Sequence, residues 1–495
     1  MSRCKRKEFS VMVWWRLMAA SIRRAGLWSL LLALGLSIAL LWTLQPLEHG
    51  YAPNAGHDFI LLYAAAHAIR DHHNPYDPAT LLRYAHMSGM RIIYLVDRSH
   101  HMNQPYVYPP LFAWLVIPFT FLSPARALVA WRVVCALGVF AGTYGLTAPW
   151  RNEVGVLRTR TRRLLFAGLS VVAPVTIYGL YWGNPVELVY AAMGGWVWLL
   201  SRRGKWTDVA AGVLMSVSLL KPQLALPVAA LSAGCFLWGA DAMRRRWRVA
   251  KGFFGASVLL LLLDLLVTGP ALLLAWPRSI LYLARMTDTQ SDMPSLLGLL
   301  KFFLQQLPVR VYTQITLLVV VVTVVATIAL YWRLRGALTS TALFGLLTVL
   351  WCFGTPYGHA NDEVLLIPGA LALLAVINAV GLGWARRGAA LFPRNRAQAL
   401  RLASECLSVG LAATAVACLY AGGMLQFVHY HAHRFAFNVA MAMAPFALLV
   451  ALAIVLPLPW LIARVTPTPT STRAAMRPTP EIARREVVGA ASRAP

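Results

Sequence analysis

Residues 252–269 read GFFGASVLLLLLDLLVTG, and residues 244–251, directly before them, read RRRWRVAK. As an α-helix the apolar run is about 27 Å long, close to the ~30 Å hydrocarbon core of a bilayer. Its polarity does not alternate, which excludes a strand of a membrane barrel. The basic cluster before it is what the positive-inside rule places in the cytoplasm. One stretch therefore predicts a transmembrane helix and its orientation together.

The same reading extends outward. The chain has 495 residues, 59% of them hydrophobic and 13% charged, with a mean hydropathy of +0.62. A water-soluble domain cannot bury that much apolar side chain, whereas a lipid-facing bundle is apolar outside as well as inside. Further apolar runs lie at roughly 26–46, 164–182, 185–201, 206–220, 222–240, 309–332, 337–354, 364–384, 402–427 and 435–463. Residues 109–148 hold a short apolar segment, Ser123-Pro124 and a longer run. One crossing there, with 109–122 interfacial or re-entrant, keeps the arginines at 151, 158, 160, 162 and 163 inside. The expectation is an all-α polytopic membrane protein of about twelve spans.

The net charge of +27 would suggest nucleic acid in a soluble protein. Here the arginines and lysines fall between spans, at 151–163, 202–205, 244–251 and 386–401, and in both tails, while acids such as Glu48, Asp58, Asp71, Asp77, Asp97, Asp288 and Asp292 favour the other side. The charge is topology, not a nucleic-acid surface. Residues 1–25 read as a basic cytoplasmic N-terminus leading into a first span without a small-residue cleavage site, and 465–495 as a disordered cytoplasmic tail rich in Thr, Pro and Arg. The transmembrane domain covers 26–464, with outer loops at 47–108 and 270–308. The first is too long for a simple connection. Within it, residues 57–70 and 78–90 each suit a short interfacial helix, broken by Asn74-Pro75. All six cysteines lie in spans or the N-terminal tail, so neither disulfides nor a cysteine metal site is expected. No nucleotide-binding glycine loop accompanies the spans, which argues against an ATP-driven pump.

Few residues carry chemistry. Asp58, beyond the first span, is placed to take a proton from a hydroxyl nucleophile, although a carboxylate in a helix's first turn also simply complements the dipole. Glu187, Lys221 and Asp264 lie in or against apolar segments, where charges face a bundle interior or a wet cavity. Lys221 with Gln223 suits a phosphate, or a lysine snorkelling from a helix end. Gly183-Asn184-Pro185 is a tight outer turn, and Tyr108 opens an apolar segment as an interface tyrosine would. His359 and Asp362 stand in the polar loop 355–363, the histidine suited to an anion or a proton, or merely solvated. His429, His431 and His433 crowd one outer turn without zinc-like spacing, so no metal site is assigned.

In their order these pieces resemble glycosyltransferase family 87, part of the GT-C superfamily. The carriers are Asp58-Phe59, Asn74-Pro75-Tyr76-Asp77-Pro78, Tyr108-Pro109-Pro110-Leu111, Gly183-Asn184, Leu220-Lys221-Pro222-Gln223 and Thr355-Pro356-Tyr357-Gly358-His359 with Asp362. The resemblance runs from the first span to about residue 370. It implies a GT-C-like bundle in the cell's inner (plasma) membrane with its site facing the periplasm or exterior. It implies transfer of a hexose such as mannose, with inversion, from a polyprenyl-phosphate donor to a hydroxyl on a lipid or glycan acceptor. Asp58 would be the base, Lys221 and His359 the contacts to the donor phosphate, and Tyr108, Asn184, Gln223 and Asp362 substrate contacts. No cofactor is implied, because the lipid-linked sugar is a co-substrate. Relatives often carry Gln where Asn184 stands and an aromatic or charged residue where Ala360 and Asn361 stand, which leaves sugar and acceptor open. Two rival readings are a secondary transporter or lipid-carrier flippase using Glu187, Lys221 and Asp264 at mid-bilayer, and a structural subunit of an envelope-polysaccharide assembly complex.

Overall fold

The computed structural model describes residues 56–87, 105–154, 157–285, 295–297, 300, 308–355 and 364–375. Every regular element among them is helical. Helix α1 is His57–Arg70 and α2 Pro78–Met87. Next come α3, Pro110–Val116, continued by a 3₁₀ turn over Ile117–Phe121, and α4, Pro124–Trp150. Then follow α5 Arg160–Val171, α6 Pro174–Trp182, α7 Val186–Leu200, and α8 Lys205–Met215 with a 3₁₀ turn over Ser216–Leu220. The series ends with α9 Pro222–Phe236, α10 Ala242–Thr268, α11 Pro270–Arg285, α12 Val309–Leu334, α13 Ser340–Gly354 and α14 Val364–Ala375.

Three of these helices are long and apolar enough to cross a bilayer: α4, α10 and the Thr313–Leu334 part of α12. The pair α5–α6 makes a fourth if it is one bent span, its two halves 52° apart where Pro174 opens the second. Proline suits a helix's first position but supplies no N–H to a preceding turn, so the axis turns there. In 109–148, where one crossing is expected, one helix is long and apolar enough to cross a bilayer. Only α4 is span-length, while α3 is short and packs beside α1 and the end of α10. The run read as the outer loop 270–308 opens with a helix, α11. The described residues do not establish the total of twelve spans, and the first span and those beyond residue 375 lie outside them.

Helix α4 ties two apolar clusters together. Towards its C-terminus Val139, Leu146 and Trp150 join Tyr190, Met193 and Trp196 of α7, with residues of α8, α9, α13 and α14. Towards its N-terminus Leu128, Trp131 and Cys135 join a cap built from α1, Tyr84 of α2, and Tyr106, Tyr108 and Phe112 around α3. The contact of α4 with α7 is backbone-close. A Cβ on Gly142 would stand 2.9 Å from the Ala191 Cα, and one on Gly194 would overlap the Gly142 carbonyl. Gly212 of α8 and Gly252 of α10 meet each other's helix in the same way. Small residues of this kind let membrane helices pack where lipid tails offer no hydrophobic driving force.

The second short helix of the cap is started by Asp77, whose carboxylate accepts from the Thr80 backbone N–H at 2.9 Å. Hydrogen bonds from the Thr80 hydroxyl and then its N–H hold the Asp77 carboxyl below the usual range. A depressed carboxyl contributes stability that is present above its unfolded value and lost as pH falls through the folded one. Asp77→Ala should therefore cost α2 about 1 kcal/mol at neutral pH and much less at acid pH. Hydrogen exchange at α2 amides, compared at both pH values, measures the difference.

Candidate active site

Two left-handed glycines bring the start of α1 against the α6–α7 turn. Gly56 has φ +75° and Gly183 φ +70°, a region that side chains rarely adopt. A Cβ on Gly183 would lie 2.7 Å from that of Phe59, and one on Gly56 2.7 Å from Leu128 Cδ2. With both bare, the Gly56 N–H donates to the Tyr181 carbonyl at 2.8 Å, hanging α1 from the end of α6.

That contact sets Asp58 opposite Asn184. The Asn184 side chain is buried, and its Oδ1 accepts the Val186 N–H at 3.0 Å as α7 begins. The amide nitrogen is thereby turned outward and donates to Asp58 Oδ2 at 2.5 Å. A flipped amide would face a donor with a donor, so the network fixes the orientation. The other carboxylate oxygen, Oδ1, is 3.4 Å from His57 Nδ1. His57 is itself buried edge-on to Trp182, ring centres 5.5 Å apart. The Asp58 side chain keeps 20% of its surface open. The result is an oriented carboxylate with an accessible edge, the geometry a general base requires.

Helix α4 frames this pair through residues that the sequence reading passed over. Trp131 Nε1 donates to the Gly183 carbonyl at 2.9 Å. Arg132 donates from Nε to the Leu180 carbonyl at 2.7 Å and from Nη2 to that of Tyr181 at 2.9 Å. Helix α6 ends with carbonyls that no further turn can satisfy, and a cation there pairs with them and with the helix dipole. Arg132 was legible as an arginine inside an apolar run, a placement that calls for a specific partner.

The remaining sequence-picked residues are distributed as follows. Lys221, between the 3₁₀ turn of α8 and α9, is only 6% exposed and does not snorkel into lipid. Its neighbour Leu220 packs on the cluster that holds Phe59, so Lys221 comes to the Asp58 end. Gln223, two residues on, is exposed. The Tyr108 ring is buried between those of Tyr106 and Phe112, at 5.8 and 5.6 Å, and its carbonyl accepts the Tyr76 hydroxyl at 2.7 Å. Burial, then Tyr106 and Asp264, keep the Tyr76 hydroxyl well above its ordinary range, so it remains a donor. His359 and Asp362, and the trio His429, His431 and His433, lie outside the described residues.

Glu187 and Asp264 sit near helix ends. Glu187 is in the first turn of α7 beside Asn184. Asp264, near the end of α10, accepts from the Thr268 hydroxyl at 2.9 Å and from the Leu111 N–H that opens α3. Trp276 and Ser279 of α11 bind the neighbouring carbonyls of Val107 and Tyr106. Asp264 is thus part of the strap that holds the segment 106–111. The transporter reading needs Glu187, Lys221 and Asp264 in one midplane site, whereas Asp264 is engaged by Thr268 and Leu111.

The family model of glycosyltransferase family 87 matches residues 106–356, just over half of the chain. The chain belongs to glycosyltransferase family 87. No curated protein matches it. Family 87 membership makes it a membrane glycosyltransferase, in keeping with its apolar helices. The matched region contains Tyr108, Asn184, Lys221 and Gln223 but not Asp58. Within this family 87 chain the link from the matched region to Asp58 is therefore geometric, and the Asn184 amide makes it.

Proposed function

We propose that this family 87 member moves a hexose from a polyprenyl-phosphate donor to an acceptor hydroxyl, with inversion and with Asp58 as general base. The observation that carries this reading is the Asn184–Asp58 hydrogen bond, which orients a part-exposed carboxylate at the end of a membrane bundle where the buried Lys221 also lies. A polyprenyl phosphate leaves as an anion without needing a strong acid. One base on the acceptor and cations on the phosphate then suffice, unlike glycosidases, which need two carboxyl groups for a poor leaving group.

In this reading Asp58 takes the acceptor hydroxyl proton as the oxygen attacks the anomeric carbon, and the bond to the phosphate oxygen breaks. Lys221, with His359, takes the charge that develops on the departing phosphate. Tyr108, Gln223 and Asp362 contact the substrates. Asn184 holds the base in addition to lining the site. The basic segments 202–205 and 244–251 belong to the opposite end from Asp58, so the positive-inside rule turns the site to the periplasm or exterior of the inner membrane.

The stereochemistry of the product tests the proposal. Purified protein given a β-linked polyprenyl-phosphate hexose and an acceptor alcohol should form an α-linked product by NMR. A β-linked product would require a double displacement and would overturn the single-base mechanism.

A further inference from the structure

At the end of the bundle opposite Asp58, the run 244–248 splits its arginines between two fates. Arg245 and Arg248 both bind the buried Asp208, at 2.9 Å each. Arg246 turns instead to Trp238, its guanidinium carbon 5.4 Å from the ring centre. Arg335, at the end of α12, comes to the same indole at 4.9 Å and lies over Trp332 at 3.8 Å. Tyr331 closes the group, its ring stacked on Trp238 at 5.8 Å and its hydroxyl bonded to the Gly234 carbonyl.

Two cations from helices far apart in the chain therefore share one aromatic platform. Among the described residues no carboxylate forms an ion pair with either, and Asp241 in the same turn pairs with neither. The platform stands at the adjoining ends of two span-length helices, α10 and α12, the level at which a bilayer surface would lie. Trp332 is 57% exposed and Trp247 63%, as indoles are at the headgroup level. Guanidinium groups bind phosphate oxygens in pairs, and indole rings sit against glycerol and upper acyl chain. We propose that Arg246, Arg335 and Trp238 form a binding site for the phosphate of an anionic phospholipid, separate from the sugar-transfer site. The lipid neutralises the two cations, as Asp208 does for Arg245 and Arg248, and ties the end of α12 to the turn before α10.

The test uses the full chain in neutral detergent, titrated with dioleoylphosphatidylglycerol, with dioleoylphosphatidylcholine, and with inorganic phosphate. Thermal unfolding and tryptophan quenching by brominated phosphatidylglycerol are followed. Phosphatidylglycerol should raise the unfolding temperature and quench, and the other two should not. At roughly 1 kcal/mol per basic residue at a charged bilayer surface, Arg246→Gln with Arg335→Gln should weaken phosphatidylglycerol binding about thirtyfold. Arg126→Gln with Arg278→Gln, the same charge change at exposed positions near the other end, should leave it unchanged. If the double variant does not fold, Arg335→Gln alone, an exposed side chain, should weaken binding about fivefold. Wild-type affinity in the Arg246/Arg335 variants, equal loss in the control, or an equal response to phosphatidylcholine or inorganic phosphate would overturn the proposal.

Discussion

Asp58→Asn should lower sugar transfer by about 10²–10⁴-fold, the usual contribution of a positioned general base. The change is isosteric, and the new side-chain oxygen can still accept from the Asn184 amide, so the α1–α7 contact survives. What is lost is the ability to take a proton, along with about 0.3–1 kcal/mol of interaction with the α1 dipole. Phe59, packed beside Trp131 with ring centres 5.8 Å apart, keeps α1 in place independently of the charge. The variant should therefore unfold near the wild-type temperature while single-turnover transfer collapses. Transfer within a factor of two of wild type would remove Asp58 from the mechanism.

Asp208→Ala should produce the largest loss of stability, about 3 kcal/mol. The Asp208 carboxylate is wholly buried between Arg245 and Arg248. Arg245 also donates to the carbonyls of Leu200 and Arg202, at 2.8 and 3.0 Å, and so cannot leave for solvent. Without Asp208 its charge stays inside uncompensated. Arg248, 31% exposed, can rehydrate, which sets the loss at the lower end for broken buried pairs. A fall in the thermal unfolding midpoint of detergent-solubilised protein, larger than that of Asp58→Asn, checks this. Substrate KM in the remaining folded fraction should not change, because the cluster lies at the end away from Asp58.

The apolar helices were legible because a bilayer asks for long runs of one polarity, although α7, α9 and α13 are shorter than a full span. The runs at 164–182, 185–201, 222–240 and 337–354 correspond to α5–α6, α7, α9 and α13 within a few residues. The helix at 57–70 was read with its observed limits, since Asp71 to Pro75 cannot extend it. The partners of the charges were not legible. Asp264 looked like a functional intramembrane acid, yet it bonds Thr268 and the start of α3. Asp208 drew no attention at all, because an acid beside Arg202, Arg203 and Lys205 reads as part of a solvated turn. Asn184 reads from its local sequence as a turn residue, and from the family resemblance as a substrate contact, but its bond to Asp58, 126 positions away in the chain, shows only in the fold. Side-chain pairs at that separation leave no local pattern, and the glycines that permit this one, Gly56 and Gly183, signal only that the backbone turns.

In the proposed reaction a lipid-phosphate donor loses its sugar to a hydroxyl that Asp58 deprotonates. The direct measurement reconstitutes wild-type and Asp58→Asn protein in liposomes with an acceptor and either radiolabelled polyprenyl-phosphate hexose or the corresponding nucleotide sugar. Wild type should convert the lipid-linked donor alone into glycosidic product, with polyprenyl phosphate released in equal amount, and Asp58→Asn should form almost none. Product from the nucleotide sugar, equal product from both proteins, or label crossing the bilayer with no new glycosidic bond would contradict it.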